Sequence, residues 1–463
     1  MKNWAEKSVL VLGLGETGLS LARWLSAQGA HVRVADSRDN PPGLEVLRSD
    51  CPQAEIRSGA FDDSLLQGIS LIAISPGVPL AEPFVQRAIA RGIRVEGDIE
   101  LFALQLASCS SHHKPRVIAI TGANGKTTVT SMVAHMCKAA GKDAVAAGNI
   151  SPAVLDVVVQ RGAKQPEIWV LELSSFQLET TFTLNADAAT VLNISEDHLD
   201  RYDGMDGYSA AKARIFQGGG VQVLNRDDAR SMGMAQPGRR IETFGLDAPG
   251  SDGDWGIVRD GDDIWLVRGN ERLLKASELQ VSGLHNVANA LAALALCCAI
   301  DLPMPALLDA LRSFKGLPHR VERVAEIDGV TYFDDSKGTN VGATVAALQG
   351  LGRKAVLIAG GEGKGQDFSP LNPAVAQHAR AVVLIGRDAP LIGAALHNCG
   401  VPLLRAADMR DAVGQAARAA LSGDAVLLSP ACASFDMFRN YAHRAEVFIE
   451  AVRELDKEGA WPR

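Results

Sequence analysis

The stretch that most limits what this chain can become runs from Val117 through Ile120 into Thr121-Gly122-Ala123-Asn124-Gly125-Lys126-Thr127-Thr128. An apolar run, a turn of small residues, then a lysine and two hydroxyls read as a strand feeding a phosphate-gripping loop and a helix. Glycines let backbone N–H groups approach phosphate oxygens, the lysine carries charge to the terminal phosphates, and a threonine hydroxyl is a Mg²⁺ ligand. The helix N-terminus adds the positive end of its dipole. One position departs from the general G-x-x-x-x-G-K-[ST] pattern: Ile120 stands where its first glycine would fall.

A loop of this kind needs a parallel α/β sheet behind it, and the 463 residues leave room for more than one such unit. With 46 Lys+Arg against 54 Asp+Glu, and no run of five basic residues, nucleic acid is not expected as a partner. No stretch of about 18 apolar residues is present to span a bilayer, so no membrane association and a cytoplasmic location are expected. The seven cysteines are odd in number and lack a C-x-x-C, which predicts buried reduced thiols and no zinc site.

Taken in order, Val9–Leu12 reads as a strand followed by Gly13-Leu14-Gly15-Glu16-Thr17-Gly18 and a helix, and the next strand ends in Asp36. The residues alone point to a dinucleotide, with the diphosphate at the helix N-terminus and Asp36 on a ribose hydroxyl. Tight helix–strand packing is the other use of such glycines. A further strand, Leu71–Ile74, empties into Ser75-Pro76-Gly77, and the polar segment 108–115 predicts a boundary.

Beyond the phosphate loop a helix is predicted over 126–140. Glu172 ends an apolar strand, the position where a nucleotide site keeps a metal ligand. A later strand opens into Ser195-Glu196-Asp197-His198-Leu199-Asp200-Arg201, whose density of ionisable groups promotes His198 to a metal or substrate contact. A helix over 205–216 carries Lys212, which by residue type alone is a solvated helix lysine. Residues 221–282 look like a small β-region, and His285-Asn286-Val287-Ala288-Asn289 opens a long helix whose amides serve either a base or the helix start. From Leu317-Pro318-His319-Arg320 a third alternating unit begins, with polar turns at 334–340, 360–364 and 429–436.

Together these motifs resemble the Mur ligases, the ATP-dependent amide-forming enzymes of peptidoglycan precursor synthesis. The loop 121–128 is similar to their T-G-T-N-G-K-T/S, which accounts for the missing glycine. Glu172-Leu173-Ser174-Ser175, Glu196-Asp197-His198, His285–Asn289 and Leu317–Arg320 follow in the family's order, and the resemblance spans the whole chain. Asp334-Asp335-Ser336-Lys337-Gly338-Thr339-Asn340 and Ser429-Pro430-Ala431-Cys432-Ala433-Ser434 resemble the branch that adds D-glutamate.

The resemblance implies three α/β domains. Residues 1–113 would form a Rossmann-like domain holding the UDP part of UDP-N-acetylmuramoyl-L-alanine through Glu16, Thr17, Ser37, Arg38 and Gly77, displacing the dinucleotide reading. Residues 114–317 would be a central P-loop-type ATPase domain, and 318–463 a C-terminal Rossmann-like domain for D-glutamate. ATP would lie on Gly122, Ala123, Asn124, Gly125, Lys126, Thr127 and Thr128, with Asn286, Asn289, Arg320 and Asp335. Two Mg²⁺ ions would be held by Thr127, Glu172, His198 and a carbamylated Lys212. Lys126, Lys212 and His198 would be catalytic. The substrates would meet Asn149, His198, Lys337, Thr339, Lys364, Ser434 and Tyr441. A monomer is expected, with hinges near 114 and 317. Gly338, Glu362, Tyr441 and His443-Arg444-Ala445 depart from the family pattern, all in the acceptor region.

Overall fold

A computed structural model describes residues 4–108, 114–197, 201–281 and 283–457. Its frame is three sheets, each built from the short apolar strands that the sequence separates with helical stretches.

The first sheet holds five parallel strands in the order Glu55–Ser58, His31–Asp36, Ser8–Leu12, Leu71–Ile74, Arg94–Glu96. Order reverses at the central pair, which opens a crevice at the strand C-ends. The third glycine of the motif is what lets helix Glu16–Ala27 settle there: a Cβ on Gly18 would stand 1.8 Å from the Gly13 carbonyl oxygen.

The second sheet has nine strands, with Arg116–Thr121 between Ala188–Val191 and Ile168–Glu172. The residues read as a small β-region prolong this sheet. Val221–Asn225 and Ile241–Phe244 join it in parallel, and Trp255–Asp260, Asp263–Arg268 and Glu271–Lys275 finish it, the last two pairings antiparallel. The buried Trp255, Leu266 and Leu274 explain this, since their faces have a core to cover. Helix Lys126–Ala139 and helix Leu284–Ala299 pack on one side of the sheet, in a common cluster with Met132, Val133 and Leu291.

The third sheet has six strands, with Val330–Asp334, Ala425–Leu428, Ala355–Gly360 and Ala379–Ile385 adjacent and parallel. The long apolar cluster that includes Trp24, Phe102, Trp169 and Leu178 runs continuously from the first sheet to the second. The clusters around the third sheet contain only residues from 321 onward. Of the six cysteines described, five are buried and Cys298 partly so, and all are free thiols.

Candidate active site

Strand C-ends of the second and third sheets meet around the phosphate loop. Gly125 takes φ +84° at the N-terminus of helix Lys126–Ala139, a left-handed conformation that suits glycine and turns the first N–H groups outward. The loop is pinned from behind: Asn124 N–H donates to Asn193 Oδ1 at 2.8 Å, and Ala123 N–H donates to the Asn193 carbonyl at 2.9 Å. Lys126 Nζ donates to the carbonyls of Gly122 and Ala123 at 2.8 and 2.9 Å, and desolvation lowers its pKa. The lysine side chain folds back onto its own loop.

A cavity of about 460 Å³ lies in front of this loop. Its walls bring together Ala123, Asn124, Gly125, Lys126, Thr127, Asn149, Glu172, Arg320, Lys337, Thr339 and Tyr441 from the second and third sheets. Glu172 is 2 % exposed; its Oε1 accepts from Asn149 Nδ2 at 2.9 Å, while its Oε2 is buried with no hydrogen-bond partner. A buried carboxylate oxygen left unmatched is costly, and it fits a divalent cation held next to the phosphate loop. The Thr127 hydroxyl accepts from an Arg320 guanidinium nitrogen at 2.8 Å. Asp197 lines the same cavity and was passed over in the sequence, where it lay inside a motif read for its histidine. His198 itself lies outside the described residues.

Lys212 overturns the solvated reading drawn from residue type. It is 2 % exposed, with Nζ donating to the Gly122 carbonyl at 3.0 Å, lying 3.3 Å from Thr121 Oγ1 and 4.7 Å from the centre of the Tyr208 ring. Desolvation first, and then the charge of Lys126, push its pKa well down. The helix Gly204–Ala213 presents this side chain to the underside of the phosphate loop rather than to water.

A second cavity, about 370 Å³, continues on the other side of the loop between Asn124, Thr128, Asn286, Asn289, Arg320 and Asp335. Asn289 Nδ2 donates to Asn286 Oδ1 at 3.2 Å. Asp335 accepts from Ser429 Oγ at 2.7 Å, and burial raises its pKa to about 7. Lys337 lies with Nζ 3.9 Å from the Tyr441 ring centre, its pKa lowered to about 8 by desolvation and then by Arg320. Lys364 is exposed and Ser434 is 3 % exposed; neither lines these two cavities.

The third cavity, about 380 Å³, lies at the first sheet's crevice and is lined by Glu16, Thr17, Ser37, Arg38 and Gly77. Asp36 also borders it, but not as a free ribose acceptor. Its oxygens accept from Arg38 Nε and a terminal guanidinium nitrogen at 2.8 and 2.7 Å and from Leu14 N–H at 2.7 Å. Chiefly through Arg38, its pKa falls to about 2. The carboxylate therefore braces the glycine turn from within.

A phosphate loop beside a buried carboxylate with one partnerless oxygen, faced by cations from the third sheet, is the site of a protein that handles a polyphosphate and a divalent cation. The chain matches three family profiles: "Mur ligase MurD-like, N-terminal domain" over residues 7–97, "Mur ligase middle domain" over 120–297 and "Mur ligase, glutamate ligase domain" over 319–432. It belongs to the Mur ligase family. Among its relatives is the UDP-N-acetylmuramoylalanine–D-glutamate ligase of Nitrosospira multiformis, 58 % identical over 98 % of this chain and 96 % of that one. The enzyme of the same name from Methylobacillus flagellatus is 59 % identical, with 98 % of each covered. The fold is similar to that of a pseudomurein peptide ligase type C from Methanothermus fervidus, with a TM-score of 0.61 at 18 % identity over 97 % of this chain and all of the other.

Proposed function

We propose that this enzyme joins D-glutamate to UDP-N-acetylmuramoyl-L-alanine with hydrolysis of ATP to ADP and phosphate, in peptidoglycan precursor synthesis. The observation that carries the reading is the 460 Å³ cavity, where Lys126 and Glu172 of the phosphate-loop sheet face Lys337 and Thr339 of the third. One substrate carboxylate and one amine can meet there beside the terminal phosphate.

A carboxylate does not condense with an amine at neutral pH until one of its oxygens becomes a leaving group. In our reading the alanyl carboxylate attacks the γ-phosphorus, the bond to the ADP oxygen breaks, and an acyl phosphate forms. The amine of D-glutamate then adds to the carbonyl carbon, loses a proton, and the tetrahedral intermediate expels inorganic phosphate. The protein's part is to hold the anions in line and offset their charge. Lys126, released from Gly122 and Ala123, would grip the transferred phosphoryl group, and the loop from Gly122 to Thr128 would cradle the chain of phosphates. Asn286, Asn289, Arg320 and Asp335 would surround the nucleoside side.

The unmatched Glu172 oxygen, with Thr127, His198 and a modified Lys212, would hold two Mg²⁺ ions. Bound there, they would neutralise charge on the phosphates and carboxylate. Burial lowers the Lys212 pKa and so favours the unprotonated amine, the form that adds to CO₂ to give a carbamate. We expect Lys212→Ala to lower turnover by at least about 10²-fold, with partial recovery on adding short carboxylates. Unchanged turnover would remove the residue from the mechanism.

The first crevice would take the UDP group through Glu16, Thr17, Ser37, Arg38 and Gly77, and Asn149 would steer the muramoyl arm. Lys337, Thr339 and Tyr441 would receive D-glutamate, with Lys364 and Ser434 joining after movement of their loops. This assigns residues 1–113, 114–317 and 318–463 to substrate, nucleotide and acceptor domains of a cytoplasmic monomer. The deciding assay is phosphate release from ATP, expected only when UDP-N-acetylmuramoyl-L-alanine and D-glutamate are both present, with L-glutamate and diaminopimelate as controls. Release with either control and none with D-glutamate would overturn the reading.

A further inference from the structure

Asn124 occupies the phosphate loop, yet its polar atoms are turned toward protein. Its backbone N–H and carbonyl exchange hydrogen bonds with the Asn193 side chain at 2.8 and 3.1 Å, and its Nδ2 lies 3.4 Å from Ser195 Oγ. Its Oδ1 accepts from Asn340 Nδ2 at 3.0 Å, across the joint between the second and third sheets.

Asn340 is 5 % exposed and has a second duty. Its Oδ1 accepts from Ala343 N–H at 2.9 Å and caps helix Val341–Gly350. That helix runs along the nucleotide cavity and lines it with small residues, Gly342, Ala343, Ala346 and Ala347. A Cβ on Gly342 would stand 3.2 Å from both Asn124 Nδ2 and Ser195 Oγ, so the two domains touch closely at this point. The far end also meets the central domain: a Cβ on Gly350 would stand 2.9 Å from two ring atoms of His285.

Lys337 and Thr339 lie three and one residues before Asn340, so whatever fixes Asn340 fixes them. We propose that the Asn124–Asn340 pair is a latch that positions the acceptor loop against the phosphate loop, and that the Asn124 side chain thereby serves the attack of the amine. This inference rests on the ligase reading above. Phosphoryl transfer needs the central domain's groups; the second step needs an amine delivered from the third. A displacement of about 1 Å at that point costs about 10²-fold in rate.

The test separates the latch from the cap. Asn340→Ser keeps a good capping oxygen but is too short to reach Asn124. Asn340→Asp keeps the cap and the reach, and Asn124 can turn its amide to donate to the new carboxylate. We expect Asn340→Ser to lower kcat/KM for D-glutamate roughly 10- to 100-fold, while the calorimetric affinity for ADP and the melting temperature stay as in the native enzyme. Asn340→Asp should recover most of the loss. By small-angle scattering with ADP bound, Asn340→Ser should have a larger radius of gyration than native protein or Asn340→Asp. Native kinetics and a native radius in Asn340→Ser would overturn the latch, as would an equal loss in both variants or a matching loss of ADP affinity. A native protein inactive with both substrates would instead refute the ligase reading, and the radii would still decide the latch.

Discussion

The two joints of this molecule are built from different materials. Between the first and second sheets the contact is a shared apolar core: Phe102 meets Trp169 edge-on with ring centres 4.9 Å apart, inside a cluster that also holds Trp24, Leu106 and Leu178. Polar groups reinforce it. Glu100 accepts from the N–H groups of Phe182 and Thr183 at 2.7 and 2.8 Å and from the Thr183 hydroxyl at 2.9 Å, and Arg23 pairs with Asp156 at 3.2 Å. Between the second and third sheets, the described side-chain hydrogen bonds include Arg320 to Thr127 and Asn340 to Asn124, and the third sheet's apolar clusters stop short of the central domain.

Magnitudes separate the joints. Apolar burial is worth about 25 cal/mol per Å², so opening the first joint would expose several large side chains at a cost of many kcal/mol. A hydrogen bond nets only about 0.5–1.5 kcal/mol because water replaces it. The second joint is therefore the cheaper of the two to open, while the first binds its two sheets into one unit.

The largest expected effect breaks the first joint. Phe102 is fully buried, and Phe102→Ala should cost about 3–5 kcal/mol of unfolding free energy, read from urea denaturation. Its loss should be felt by both domains in one transition, because they share the cluster. A cost under about 1 kcal/mol, or a first domain that melts separately in the native protein, would show that the joint is not a common core.

Much of this architecture was legible because its signals are local. A strand, a glycine turn and a helix start lie within a dozen residues of one another at Gly13–Gly18 and again at Thr121–Thr128, and both turns face cavities. Two features that residue type and spacing do not reveal, at Lys212 and Asn340, depend on distant partners. Lys212 has the composition of a surface lysine, and only the packing of its helix under a loop 90 residues earlier removes it from water. Asn340 pairs across 216 residues, so no spacing rule could reveal it. Asp36 was given a ligand because the motif ends there; its neighbour Arg38 claims the carboxylate instead. The strands from Val221 to Lys275 were recognisable as strands, but their place on the central sheet depends on which edge was free.

The smaller test sharpens the first joint by pH. Asp98 starts helix Asp98–Ala107 at this contact, 2 % exposed, with Oδ2 accepting from Gln177 Nε2 at 3.0 Å and Oδ1 unpartnered. Burial raises its pKa to about 6 from 3.8. Between those values the folded state binds more protons at this site than the unfolded state does, so its contribution to stability is complete below about pH 4 and is lost as pH rises through about 6. Asp98→Asn removes the titration. The stability difference, native minus variant, should then fall by on the order of 1–3 kcal/mol between pH 4 and pH 7, measured by urea denaturation at each pH. A difference that stays level would mean that water reaches the carboxylate, and that the first joint is looser at its polar edge than its apolar core implies.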